Sequence, residues 1–283
     1  MDINPLVKAI TPAMNRDNKE PGDYEASDGL LVCGKCNTKK QTFFEVPGFL
    51  ERRKVSCMCL CEIQKQMQIK AARDLAEAEQ RIKRMRLQGL ADEQYRACTF
   101  AADDGTDARA SQFCRRFVDN WEWIVEHHAG LLLWGDVGGG KTFFAACIAN
   151  ALIDKGIYAM MTTIPKLTAA MAADFGADRE RIMQEIEQAP LLILDDVGTE
   201  RNTSYGMEQA YEIINARYKS KKPLIVTTNL TMAALKETEE IDHRRLYDRI
   251  IEMCTPCKVS ASGRRQAAAR AKHEAMLQQF GMK

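Results

Sequence analysis

GLLLWGDVGGGKT, residues 130–142, runs an apolar, strand-like stretch into a glycine-rich turn that ends in Lys-Thr. Gly135 to Thr142 fits GxxxxGK[ST], and the continuation FFAACIANALIDKG has the composition of a helix, so the motif sits between a strand and a helix as such a loop must. Glycines let the backbone curl until its N–H groups converge on phosphate oxygens. The lysine reaches the outer phosphates and the threonine hydroxyl ligates Mg²⁺. The expected nucleotide contacts are Gly135, Asp136, Val137, Gly138, Gly139, Gly140, Lys141, Thr142 and Phe143, with ATP and Mg²⁺ as the cofactors.

Outward from this loop, short apolar runs alternate with helical patterns from about residue 105, the mark of a parallel α/β sheet. IYAMMTT (157–163), LLILDD (191–196) and PLIVTTN (223–229) suit strands buried on both faces. LLILDDVG ends its strand in two carboxylates. Asp195 is then placed to hold the Mg²⁺ shell, and Asp196 to polarise the attacking water as a general base, where related ATPases use glutamate. IVTTN ends in Asn229, an amide that can donate to a γ-phosphate oxygen and hold the lytic water, although asparagine also ends strands as a turn former. IDHRRLYDRII (241–251) is helical in pattern and puts Arg245 and Arg249 on one face. An arginine presented there to a neighbouring subunit's γ-phosphate would stabilise transition-state charge, whereas a solvated basic face is the plainer alternative. Downstream lie Arg264, Arg265, Arg270 and Lys272, candidates for nucleotide sensing or for DNA phosphate contacts.

In order and spacing, GDVGGGKT, LLILDDVGTE, IVTTN and RLYDRIIEMC resemble the AAA+ ATPases of the DnaC/DnaI and IstB group, over roughly residues 90 to 262. That resemblance implies an α/β AAA+ P-loop ATPase domain with parallel strand order 5-1-4-3-2 and no lid domain. It implies Asn229 as first sensor, Arg249 as arginine finger, and Arg264 or Arg265 as a second sensor. It also implies ATP-driven assembly of a homo-oligomer, a spiral or hexamer, on single-stranded DNA. A helicase loader of the phage or prophage kind, gripping a hexameric DnaB-like replicative helicase, is the favoured function. An IstB-like helper of transposition and a zinc-bearing nucleic-acid adaptor with little turnover are the alternatives. PKLTAAMAADFGADRERIMQEIEQA corresponds to the insertion that lines the DNA path in initiator-type relatives, which makes Lys166 a candidate phosphate contact.

Ahead of that domain the texture differs. Residues 1–61 are expected to form a small helicase-interacting domain, 62–104 a linker helix and connector, and 105–283 the ATPase domain. Five of the ten cysteines fall in LVCGKCN and VSCMCLC, within a segment too poor in large apolar groups to build its own core. No apolar window is long enough for a membrane span or signal peptide, so a cytoplasmic, reducing location is expected and closely spaced thiols read as metal ligands rather than disulfides. Zinc wants four ligands. Cys33 and Cys36 form one knuckle, and two of Cys57, Cys59 and Cys61 must complete the set; Cys59 and Cys61 are favoured, with Cys57 as the alternative. The helical EIQKQMQIKAARDLAEAEQRIKRMRL follows, ending in four cations within six residues. Net charge of +1 excludes a generally basic nucleic-acid coat, so any basic patch is local. Cys98, Cys114 and Cys147 read as small buried residues. Cys254 and Cys257 have metal spacing but no second pair nearby, and His127 and His128 read as surface or packing residues.

Overall fold

The computed structural model describes residues 19–45, 52–173, 177–198, 204–238, 240–260 and 264–282. The chain divides into two compact units, Met1–Glu79 and Gln80–Lys283, and the division falls inside one long helix rather than at a loop.

The first unit has little apolar material. Strand β1 (Tyr24–Glu25) pairs antiparallel with β2 (Leu31–Val32), and β3 (Gln41–Glu45) with β4 (Arg52–Ser56). Among its described residues the buried ones are Leu30, Leu31, Val32, Cys33, Cys59 and, unexpectedly, Lys40. The Lys40 ammonium donates to Asp23 Oδ2 at 2.7 Å. The same carboxylate accepts from the backbone N–H groups of Glu20 at 2.7 Å and Gly34 at 3.1 Å. Lys40 first, then these amides, hold the Asp23 carboxyl at about 2, below its ordinary 3.8. The pair therefore supports the fold fully above about pH 4, and the support is lost as pH falls through 2.

Helix α1 (Leu60–Gly89) has no glycine or proline before its last residue, and only Met85 and Gly89 along it are buried. A Cβ on Gly89 would lie 2.0 Å from the carbonyl oxygen of Ala159, so glycine alone lets the helix end this close to the sheet. Leu90 then makes a parallel bridge to Met161, extending the sheet edge.

The second unit continues with α2 (Glu93–Arg96), α3 (Ala108–Asp119), α4 (Trp121–Glu126), β5 (Gly130–Trp134), α5 (Lys141–Asp154) and β6 (Ala159–Thr162). Helices α6 (Ile164–Ala173) and α7 (Ala177–Gln188) precede β7 (Leu191–Val197), which leads to α8 (Ser204–Ser220) and β8 (Leu224–Thr228). The remainder is α9 (Met232–Lys236), α10 (Ile241–Met253), β9 (Cys254–Lys258) and α11 (Arg264–Gln279). The five strands are all parallel, in the order β6-β7-β8-β5-β9. Counted from β5 as the first, this is the expected 5-1-4-3-2.

Alternation along the strands divides the core into two layers. Leu131, Leu133, Ile193 and Ile225 face Phe117, Phe144, Ile148 and Leu152. Leu132, Leu192, Leu194, Leu224 and Val226 face Ile186, Ile213, Ile214, Leu246 and Ile250. Helix α5 is buried on nearly all sides, which is why its sequence is apolar without a clear polar face. The CTPC pair is part of the edge strand β9, with Cys254 and Cys257 packed against the sheet. Pro256 is tolerated there because an edge strand leaves one side of its backbone unpaired. Among the described residues no helix is long and apolar enough to cross a membrane.

Candidate functional site

The carboxyl ends of β5, β7 and β8 bring three sequence motifs to one place. Gly135 has φ +141°, and a Cβ there would lie 2.3 Å from the carbonyl oxygen of Val259, so the loop can turn off β5 against β9 only at glycine. Gly140, at φ +98°, caps the start of α5 in the left-handed conformation. Lys141 follows and is buried; its ammonium donates to the carbonyl oxygens of Gly135 and Asp136, both at 2.8 Å, and to Asn229 Oδ1 at 2.7 Å. Lys141 and Asn229, 88 positions apart, thus meet at the head of the loop.

The carboxylates do different things. Asp195 is buried, and its Oδ1 accepts from the Thr142 hydroxyl at 2.9 Å and from the Thr227 hydroxyl at 2.6 Å. A hydroxyl and a carboxylate held this close are the oxygen donors a hard divalent cation takes, so Thr142 and Asp195 are the residues that would hold Mg²⁺. Asp196 stands at φ +60° where the β7–β8 register shifts, and its N–H donates to the Thr227 hydroxyl at 2.8 Å. That kink turns the exposed Asp196 carboxylate away from its neighbour. Its Oδ1 accepts from Asn229 Nδ2 at 2.7 Å, leaving Asn229 between the lysine and the second carboxylate.

A cavity of about 540 Å³ opens beside the loop, within the range of small-molecule sites. Val137, Gly138, Gly140, Lys141, Thr142, Phe143, Asp195, Asp196 and Asn229 line one side. Gln94, Tyr95, Cys98, Ala102 and Asp104 line the rest, and these come from the stretch that reads as a mere connector. Tyr95 donates its hydroxyl to Asp195 Oδ2 at 3.3 Å; burial first, and then the carboxylate, push its phenol up to about 12. The turn is fastened from α5: Asn150 Nδ2 donates to the carbonyl oxygens of Tyr95 and Cys98, both at 2.8 Å. Arg86, near the end of α1, donates from Nε to Asn150 Oδ1 at 3.1 Å and also pairs with Asp154. The one legible signal was Asn150, a polar residue in the apolar run FFAACIANALI of its helix. Tyr95→Phe removes a charge-assisted hydrogen bond of about 1.5 kcal/mol that orients Asp195, so the Mg²⁺ needed for half-maximal nucleotide turnover should rise about tenfold. A magnesium titration checks this; an unchanged or lower requirement would mean that the phenol competes with the ion.

Arg249 does not stand free. Its guanidinium lies over the rings of Tyr218, at 4.6 Å, and Tyr211, at 5.4 Å, and donates to the Tyr211 hydroxyl at 3.1 Å. Arg245, one turn earlier, is exposed and lines a hollow with Met207, Glu208, Tyr211 and Asp242. Lys166 is paired with Asp92 at 2.7 Å on the surface. Arg264 and Arg265 begin α11, and their side chains lie outside the described residues; Arg270 and Lys272 are exposed. Cys114 and Cys147 are buried, whereas Cys98 is half-exposed at the cavity. His127 stacks on Trp123 with ring centroids 4.1 Å apart.

In the first unit, Cys33, Cys36, Cys59 and Cys61 converge, with all four sulfurs within 4.8 Å of one another. A tetrahedral zinc with Zn–S near 2.3 Å sets sulfurs about 3.8 Å apart, so the cluster fits that ion with small adjustment. The knuckle is shaped by Asn37 N–H donating to the Cys33 carbonyl at 2.8 Å, with Asn37 at φ +55°. Cys61 enters from the first turn of α1. A bond with the Thr38 hydroxyl, and next the Cys61 amide, pull the Cys36 thiol down to about 5. A hydrogen bond with Cys36 first, and then burial, push the Cys61 thiol up to about 12. Crowded thiolates resist ionising together, and a bound cation relieves that. Cys57 is outside the group; its thiol donates to the Lys39 carbonyl at 3.4 Å.

A parallel sheet in which the strand leading into the glycine-rich loop lies between the fifth strand and the strand that runs into Asn229 belongs to the AAA+ type of ATP-binding domain. More particularly, the chain belongs to the family described as IstB-like ATP binding protein, whose profile matches residues 55–272. It is 29% identical over 147 residues to the replicative helicase loader DnaI of Bacillus subtilis, covering 48% of this chain and 47% of that one. It is 28% identical over 162 residues to the phage-like element PBSX protein XkdC of Bacillus subtilis, covering 54% and 59%. The crystal structure of the DnaC helicase loader superposes with a TM-score of 0.51 at 27% identity, covering 59% of this chain and 99% of that chain. The match spans about half the length of the curated relatives.

Proposed function

We propose that the chain is an ATP-hydrolysing loader that binds a hexameric, DnaB-like replicative helicase and places it on single-stranded DNA. The observation that carries this reading is the nucleotide site itself, built as described on a domain similar to those of named helicase loaders. The four-cysteine unit ahead of it offers a separate part with which to hold the helicase. In the proposed reaction Lys141 takes the β and γ phosphates, and Thr142 and Asp195 would hold Mg²⁺, which would supply charge neutralisation at the phosphates. Asp196 receives the proton of the attacking water, which Asn229 orients. Arg249 leaves its tyrosine shelf to reach the γ-phosphate of an adjoining subunit, so hydrolysis follows assembly into a spiral or hexamer in the cytoplasm. Helices α6 and α7, between the second and third strands of the sheet, would line the DNA path, with Lys166 exchanging Asp92 for phosphate. A second reading, a helper ATPase of DNA transposition, is favoured by the description of the matching family. A third, a nucleotide-gated adaptor with negligible turnover, draws on the short Asp196 carboxylate, which Asn229 already engages.

Co-purification separates these readings. The tagged chain with ATP should retain a hexameric replicative helicase and not a transposase, and its turnover should rise with single-stranded DNA. Retention of the transposase alone would overturn the loader, and binding of ATP without turnover would make the chain an adaptor.

A further inference from the structure

The hairpin β3–β4 carries an aromatic and cationic surface that the nucleotide site does not use. Phe43 and Phe44 are 41% and 49% exposed, an unusual outlay of ring area on two adjacent residues. The strand register sets Lys54 directly across from Phe43 and Arg53 directly across from Phe44. Adjacent residues on a strand point to opposite faces, so each face of the ribbon has one ring beside one cation. The two faces are not equivalent. Lys54 donates to the Gly29 carbonyl at 2.6 Å, which turns the Phe43–Lys54 face toward the β1–β2 half of the unit. The Phe44–Arg53 face is turned away, and Arg53 makes no ion pair among the described residues. Of the acidic groups near the β1–β2 half, Glu20 pairs with Lys35, Asp23 with Lys40 and Asp28 with Lys39, while Glu45 stands across from Arg52 at the end of the hairpin rather than across from Arg53.

A ring able to stack on an unpaired base, with an arginine on the directly opposed position of the neighbouring strand, is the pairing that single-stranded nucleic acid asks for. Arg52, Arg53 and Lys54, set against Glu45 on β3, leave the two strands with a local excess of positive charge that the whole chain, at +1, lacks. We propose that the Phe44–Arg53 face of this hairpin binds single-stranded nucleic acid, the ring stacking a base and the guanidinium taking a neighbouring phosphate. Base identity is not read, because every base offers a π-face. This site is separate from the ATPase and goes beyond the loader reading: a chain that held no helicase could still bind here.

The test is fluorescence anisotropy of the full chain, without nucleotide, on a labelled oligothymidylate of about 15 nucleotides. Phe44→Ala should weaken binding about tenfold, whereas Phe44→Tyr, which keeps a ring, should stay close to wild type. Arg53→Ala should make the slope of log affinity against log salt shallower by about 0.7, the release expected for one single-strand phosphate. Bound metal should be unaltered in all three variants, showing that the unit is folded. Unchanged affinity in both alanine variants overturns the proposal. So does a duplex that binds as tightly as the single strand, since a paired base cannot stack. Loss of a protein partner with oligonucleotide affinity intact would give the face to that protein and equally overturn it.

Discussion

Lys141→Ala is expected to cut ATP turnover by a factor of about 100 to 1,000 and to weaken nucleotide binding with it. The ammonium is buried and shared among three oxygens, those of Gly135, Asp136 and Asn229, so it is held at the head of the loop before any phosphate arrives. An incoming phosphate replaces neutral acceptors with charged ones in a place already short of water, where charge-assisted bonds are about twice as strong as neutral ones. Alanine removes that gain for bound ATP and removes more of it in the transition state, where charge builds on the transferred group, so both affinity and turnover fall. Asn229→Ala provides the contrast. Its amide joins Lys141 to Asp196 but carries no charge, so turnover should fall while nucleotide affinity stays within a few-fold of wild type. A fluorescent nucleotide titration beside a phosphate-release assay reads both quantities. Wild-type turnover in Lys141→Ala would show that this loop is not the seat of hydrolysis.

Legibility in the sequence followed the range of the interactions. Four apolar runs sufficed for four of the five parallel strands, because a strand covered on both faces must be apolar throughout. Their order was available only through the resemblance, since periodicity carries no information about which strands adjoin. The fifth strand was half hidden: the cysteines of CTPC lie three apart and a proline stands between them, which breaks alternation. Local spacing singled out Lys141, Thr142 and Asp195, whereas Asn229 drew its weight from its place after those motifs, and the structure brings the four together. Tyr95 did not, because its partner lies 100 residues away and the turn that presents it is fastened by Asn150 from a helix. Nor could spacing show that Arg249 rests on two tyrosine rings, for those rings belong to another helix. Among the cysteines, spacing narrowed five thiols to a knuckle and a trio. What excludes Cys57 from the cluster is that β4 ends at Ser56 and the Cys57 N–H goes on to bond the Lys40 carbonyl at 2.7 Å, while α1 starts at Leu60 and carries Cys61 round to the knuckle.

That difference underlies the second large effect. Cys33→Ser should abolish zinc binding and with it the fold of the first unit, whereas Cys57→Ser should keep one zinc per chain. Structural zinc in small sites is worth about 10–16 kcal/mol of apparent binding free energy at neutral pH, and where apolar burial is scant that binding supplies most of the folding free energy. Here the buried side chains are few and include two of the cysteines themselves and the Lys40–Asp23 pair. Without the ion, the Cys61 thiol is held protonated beside Cys36, whose thiol is pulled down, because neighbouring thiolates resist ionising together. Protons and zinc therefore compete for the same sulfurs, and metal affinity should weaken steadily as pH is lowered. Metal analysis of the single Cys→Ser variants, with limited proteolysis of residues 1–79, measures both consequences. The second unit should remain protease-resistant in Cys33→Ser, because its core is built from the two faces of its own sheet. Zinc retained in Cys33→Ser, or lost in Cys57→Ser, would show that the four converging sulfurs are not the ligand set.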